Sequence, residues 1–317
     1  MRWAVLAAVL LVPAVAAGAG SARTADATPQ VYLVDVPSGS MTWLTEGSEP
    51  SFSPDGRWVV YLCRGAICTI EVDGSDRRTL TAPCGCIDRP VWSPDGRKIA
   101  FSTPEGVSVI GADGSGLEQI ARGASSPSWS PDSRRLVFEA GLEANDFPTS
   151  LRTARVDGKP LRKIATGAGV WEPMWSPSGH WIAYSRGVYN ASFGVENRRL
   201  WLVNVATGRR RTLGWGHDPV WDPRRNRLAF RRGWNGGIYV ASVADARPRQ
   251  IAPSGLWPVW SPNGRKIAYW RRKELVISSP SGKDKRVVTR FTNLEEGPGS
   301  RPSWSADGKT LATAGTP

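Results

Sequence analysis

The chain has 317 residues, including 34 Gly, 25 Pro and 16 Trp, and carries a net charge of +13 from 41 Lys plus Arg against 28 Asp plus Glu. So much Trp excludes a disordered chain, and only 2 His leave little material for His-based metal or acid–base chemistry. Beyond the N-terminus no apolar stretch is long enough to cross a bilayer.

Residues 1–22 (MRWAVLAAVLLVPAVAAGAGSA) join a positive Arg2, an apolar run and small residues suited to cleavage after Ala19 or Ala22. This is the pattern of a secretory signal peptide. Residues 23–30 read as a short linker, and 31–317 as a single β-propeller domain. The first hairpin is VYLVDVPSGSMTWLT at 31–45. Then EPSFSPDGRWVVYL (49–62) opens a repeat that returns as RPVWSPDGRKIAFS (89–102) and SPSWSPDSRRLVFE (126–139). It continues as EPMWSPSGHWIAYS (172–185), DPVWDPRRNRLAFR (218–231), WPVWSPNGRKIAYW (257–270) and RPSWSADGKTLATA (301–314). The repeated aromatic is Phe52, Trp92, Trp129, Trp175, Trp221, Trp260 and Trp304, at spacings of about 37 to 46 residues. That period suits a four-stranded propeller blade.

Each copy reads as strand, turn, strand. In Ser-Pro-Asp-Gly the Pro presets φ, the Asp bonds its own backbone and the Gly accepts positive φ. A second Gly-turn hairpin, such as ICTIEVDGSDRRTLT at 67–81, lies between successive copies. With strands lettered A to D from the Trp hairpin outward, blades begin at Pro50, Pro90, Pro127, Pro173, Pro219 and Pro258. The leftover halves, 302–314 and 31–46, complete one more. The expected fold is all-β: a seven-bladed β-propeller with 2+2 closure, which joins the chain ends inside one sheet and protects its edges.

The P-x-W-S-P-D-G hairpin, its apolar strand and the following D-G-S turn resemble the TolB-like propeller repeat, a WD40-like repeat, over roughly residues 31–314. The resemblance implies the fold and no single activity. Proteins resembling TolB carry an α/β domain before the propeller, and TolB itself has six blades, so a six-bladed TolB-like ring is the alternative. Here the first hairpin starts close to the signal-peptide end. The hydrolase domain of related peptidases, with its G-x-S-x-G elbow, has no counterpart in the sequence. A free-standing exported propeller, periplasmic or extracellular and monomeric, is the expectation.

Strand A is innermost, so the residue before each repeat Pro should ring the channel mouth: Glu49, Arg89, Ser126, Glu172, Asp218, Trp257 and Arg301. The irregular loops of that face add Trp171, Trp215 and His217, with Tyr189, Phe193 and Trp234 nearby. Aromatic faces beside carboxylates suit a sugar ring, a cation or a peptide side chain. The candidate binding site is therefore Trp171, Glu172, Trp215, His217, Asp218, Trp257 and Arg301. The first functional reading is a non-catalytic scaffold for a protein or glycan of the envelope. The alternative is a glycoside hydrolase or lyase acting on an envelope or extracellular polysaccharide, with Glu172 and Asp218 as acid and base. His180 and His217 fall on opposite sides of the blades, so neither a metal site nor a cofactor is expected.

Cys63 and Cys68 flank one loop of the first blade, and Cys84 and Cys86 sit in the loop leaving it. Export favours disulfides over a four-thiolate zinc site. Cross-links between the two loops are expected, since a Cys84–Cys86 ring is very small. Arg77–Arg78, Arg134–Arg135, Arg209–Arg211, Arg224–Arg225 and Lys283–Arg286 lie near turns of the opposite face, which suits an anionic polymer or membrane surface. No aromatic-lined basic groove points to nucleic acid.

Overall fold

The computed structural model describes residues 28–86, 88–141, 148–157, 162–167, 169–190, 195–233, 236–245, 247–291 and 299–315. The signal-peptide segment, most of the linker, Phe193, Trp234 and the side chain of Tyr189 lie outside the described residues.

Seven four-stranded antiparallel sheets stand in a ring. In one of them Gln30–Asp35 pairs with Thr310–Gly315, so the chain ends share a sheet: a seven-bladed propeller closed 2+2. The six-bladed alternative is excluded. The apolar faces of neighbouring sheets pack into seven separate core layers, one at each blade junction. No helix among the described residues is long and apolar enough to cross a membrane.

The repeat turn does the work its sequence implies. In blade 2 the Ser93 hydroxyl donates to Asp95 (2.6 Å), which also accepts the Arg97 N–H (3.1 Å). The Lys98 N–H returns to Ser93 Oγ (2.9 Å), and Gly96 takes φ 72°. Blade 5 departs from this pattern. Asp222 replaces the serine, is fully buried, accepts the Arg224 N–H (2.9 Å) and pairs with Arg227 Nε (2.6 Å).

The repeat tryptophans stitch blade to blade. The indole N–H of Trp92 donates to the Ser51 carbonyl (3.1 Å), and that of Trp129 to Val91 (3.0 Å). Trp221 reaches Met174 (3.0 Å), Trp260 reaches Val220 (3.0 Å) and Trp304 reaches Val259 (3.3 Å). Each acceptor directly precedes the repeat aromatic of the preceding blade. Two junctions differ. The Phe52 ring has no N–H to offer, and the Trp175 indole N–H has no acceptor among the described residues. At both, the preceding residue of the neighbouring blade is serine. Ser303 Oγ accepts the Phe52 backbone N–H (3.0 Å), and Ser128 Oγ accepts that of Trp175 (3.2 Å).

Five innermost strands start ahead of the repeat Pro and shift register there, between Ser48/Ser51, Ser125/Ser128, Trp171/Met174, His217/Val220 and Leu256/Val259. At each bulge the residue before Pro is left-handed: Glu49, Ser126, Glu172, Asp218 and Trp257, with φ between 49° and 56°. L-residues avoid this region, so the surrounding structure must hold it. Blades 2 and 7 lack the extension. Their innermost strands are Val91–Trp92 and Ser303–Trp304.

The cysteines correct the expectation of cross-links between loops. Cys63 bonds Cys68 and Cys84 bonds Cys86. Cys63 ends one strand of a hairpin and Cys68 lies on the other, with Cα atoms 5.9 Å apart, within bridging reach. The small Cys84–Cys86 ring is accommodated because Gly85 between them adopts φ 59°. The two loops are joined instead by the Cys84 N–H, which donates to the Gly65 carbonyl (2.8 Å).

Part of the basic excess is absorbed by packing. Arg78 lies over Trp58 (4.8 Å), Arg135 over Trp175 (5.0 Å), Arg211 over Trp181 (5.7 Å) and Arg227 over Trp260 (4.6 Å). Trp260 and Trp175 are thus matched except for the indole bond. Trp260→Phe should cost about 1 kcal/mol more than Trp175→Phe, the net worth of one buried hydrogen bond. Chemical denaturation of the two variants measures this, and equal losses would show that the stitch contributes nothing.

Candidate functional site

All seven ring residues line one cavity of about 540 Å³ at the channel mouth. Repeat prolines Pro127, Pro173 and Pro219, with Met174, supply its apolar wall. Within this ring the charged groups fall into two sets.

In the first set every carboxylate is occupied. Glu172 Oε2 accepts the Asp218 N–H (2.7 Å) and the Ser185 hydroxyl (2.9 Å), while Oε1 pairs with Arg198 (3.0 Å). Asp218 Oδ2 pairs with Arg231 (2.8 Å) and lies 3.5 Å from His217 Nδ1; Oδ1 is 3.6 Å from Arg301. Glu139, buried on the second strand of blade 3, accepts the Glu172 N–H (2.6 Å) and the Ser125 hydroxyl (3.2 Å). Asp88 accepts the Ser126 N–H (2.9 Å). Three of the five left-handed residues are thus held by a carboxylate that accepts their backbone N–H.

These contacts set the ionisation. Burial, reinforced by the Asp218 charge, pushes the Glu172 carboxyl up. Asp218 is buried as well, yet the His217 hydrogen bond and the charges of Arg301, His217 and Arg231 outweigh that and hold its carboxyl far below the usual range. Burial raises Glu139 to about 7, with the neighbouring Glu172 and Asp88 charges adding to it.

The second set is the opposite arc of the ring, Arg301, Glu49 and Arg89 from blades 7, 1 and 2. No hydrogen bond or ion pair reaches Glu49 or Arg89 among the described residues, and Arg89 Nε is buried without a partner. Burial moves the Glu49 carboxyl up and the Arg89 guanidinium down to about 10.

The residues expected to form the site therefore separate. Glu172, Asp218, Trp257 and Arg301 meet in the cavity. His217 is buried behind it, its Nε2 3.4 Å from the Gly233 carbonyl. Trp171 is half-buried beneath Arg198, whose guanidinium sits 5.0 Å over its ring. Trp215 ends the outermost strand of blade 4, half exposed, with Arg199 over its ring (4.8 Å). Sequence reasoning passed over Glu139, Arg198 and Arg231. A signal for two of these existed: Glu139 and Arg231 occupy one repeat column, just after the strand-B aromatic, where other blades carry Leu62, Ser102, Ser185 or Trp270.

Glu172, His217 and Asp218 offer ligand atoms within 4.8 Å of one another. Yet Arg198 and Arg231 already neutralise the two acids, and Arg301 adds a further positive charge. A donor set ringed by three guanidiniums does not fit a divalent cation.

Fold and channel mouth define a seven-bladed β-propeller. The chain belongs to the TolB β-propeller domain family, whose profile matches residues 19–179. No curated protein matches the sequence. Among solved structures, an oligogalacturonate lyase in complex with manganese is 14% identical with a TM-score of 0.69, over 93% of this chain and 99% of that one. A chain of a mitotic checkpoint complex is 15% identical (TM-score 0.62; 100% and 99% covered). A TolB-type protein from Agrobacterium tumefaciens is 14% identical (TM-score 0.58; 92% and 99% covered). At these identities the likeness is one of fold.

Glu139 provides a pH test. Its folded-state value of about 7 lies above the ordinary 4.5, so folding takes up a proton between those values. Its contribution to stability is present in full below pH 4.5, is lost as pH rises to about 7, and is flat above. Glu139→Gln should therefore gain on wild type across that window, by up to about 3 kcal/mol, and keep its lead. Denaturation midpoints at pH 4.5, 6 and 8 check this; a constant difference would remove Glu139 as a titrating group.

Proposed function

We propose that this chain is an exported, non-catalytic propeller that binds a protein partner through its channel mouth. The observation that carries the reading is the state of the acids. Glu172 and Asp218 are committed to backbone N–H groups, a hydroxyl and arginines, so they act as architecture. The groups left to meet a ligand are Glu49, Arg89 and the half-buried Trp257. A rigid ring with a few such groups at its mouth suits recognition. The signal-peptide pattern and the two disulfides favour an oxidising compartment.

One observation favours the enzyme reading: the two neighbouring carboxyls are pushed in opposite directions, as an acid and a base would be. Against it, neither carboxyl is free of its structural partners to reach a substrate. Turnover of an acidic or neutral polysaccharide that Glu172→Gln abolishes would establish that reading over ours.

For the binding reading, immobilised wild-type protein should retain an envelope partner at least tenfold better than Trp257→Ala. Trp215→Ala, altered on the outer rim, should bind like wild type. Equal retention by Trp257→Ala and wild type would remove the channel mouth as the binding site.

A further inference from the structure

Glu49 and Arg89 stand on adjacent blades, face one cavity and make no hydrogen bond among the described residues. Leaving a buried charge unpaired is costly, and folded proteins normally avoid it. Elsewhere in this ring it is avoided: Glu172 has three donors, and Asp218 has Arg231 and His217. The unpaired groups are therefore confined to one arc, in the order Arg301, Glu49, Arg89. Arg301 has a single 3.6 Å contact with Asp218 and otherwise also faces the cavity.

This arc presents Glu49 between two guanidiniums, with Asp88, already accepting the Ser126 N–H, beside it. A plain anion would meet the repulsion of Glu49. A plain cation would meet that of both guanidiniums. A neutral ligand would leave all three desolvated and unpaired. The complement is a molecule with an ammonium group and a carboxylate close together. The cavity, about 540 Å³, is in the range of small-ligand pockets and has an apolar wall for the rest of the molecule.

We propose that the channel mouth is a subsite for a zwitterion of the amino-acid or short-peptide type. Glu49 takes the ammonium, Arg89 and Arg301 take the carboxylate, and Trp257 with the repeat prolines covers an apolar side chain. Guanidinium suits the second role because its planar fork matches a carboxylate. This subsite shares Glu49, Arg89 and Trp257 with the protein-binding reading and rests on it for an accessible mouth, while partner capture and zwitterion titration can fail separately.

The experiment is calorimetric titration of the whole protein with L-leucine and L-leucyl-L-leucine, against N-acetyl-L-leucine and L-leucinamide. At least one zwitterion should bind saturably and at least tenfold more tightly than both blocked compounds. Glu49→Gln should abolish the preference over N-acetyl-L-leucine, and Arg89→Met should weaken the zwitterion at least tenfold. Without ligand, Arg89→Met should melt at or above the wild-type temperature, because it removes a half-buried guanidinium that no hydrogen bond satisfies and that faces Arg301. A structural role for Arg89 would lower the melting temperature instead.

N-acetyl-L-leucine binding as well as L-leucine would mark a plain anion site and overturn the proposal. Equal binding of L-leucinamide would mark a cation site and do the same. Binding of none would overturn the proposal as well. Partner capture that survives any of these failures leaves the protein-binding reading in place.

Discussion

One contact recurs around the ring: the repeat aromatic residue of each blade is hydrogen-bonded to the blade before it. At five junctions this is an indole N–H donating to a carbonyl one residue ahead of the neighbouring aromatic. The contact explains why the position is Trp and not merely apolar. The apolar layers between sheets are non-directional, and the indole bond adds a directional contact from blade to blade. Where the indole bond is missing, at Phe52 and Trp175, a serine hydroxyl from the preceding blade accepts a backbone N–H instead. One of these junctions is the closing seam, where the two halves of the last blade meet the first.

The channel mouth is built by a second feature. In five blades, with or without the indole bond, the Xaa-Pro step ahead of the aromatic forms a bulge. Five bulges place a non-glycine residue in the left-handed region with its side chain lining the cavity. Such a conformation persists only when something holds it. For Ser126, Glu172 and Asp218 the holding groups are Asp88, Glu139 and Glu172. Acidic residues at the mouth are thus largely fastenings, and their displaced ionisation comes from burial and from one another. Perturbed carboxyls mark catalytic sites often but not always, because structural networks perturb them too.

The net positive charge gains a partial account in the same terms. Arginine stems and guanidiniums cover tryptophan faces, across blade junctions at Trp175 and Trp260 and within one blade at Trp58 and Trp181. An Arg there buries apolar surface, keeps its charge near water and gains from the ring quadrupole. Trp and Arg are therefore abundant for a shared reason.

The repeat by itself determined the all-β class, the number of blades, the 2+2 closure and the identity of the mouth residues. Each of these depends on spacing along the chain, which turn and strand residues record locally. The pairing of the cysteines did not follow, because it rested on Gly85 adopting a left-handed conformation and on the hairpin bringing Cys68 back to Cys63. Nor did the sorting of the charges. Read along the chain, Glu49, Arg89, Glu172 and Asp218 hold equivalent positions before a repeat Pro. The Glu139 and Glu172 carboxylates are engaged by the backbone N–H groups of Glu172 and Asp218, 33 and 46 residues away along the chain. Trp171 and Trp215 were expected beside the mouth, yet of the three tryptophans only Trp257, the one directly before a repeat Pro, lines the cavity. Periodicity fixes where a residue sits in a blade; only the folded ring decides what satisfies its hydrogen bonds, and so which groups remain for a ligand.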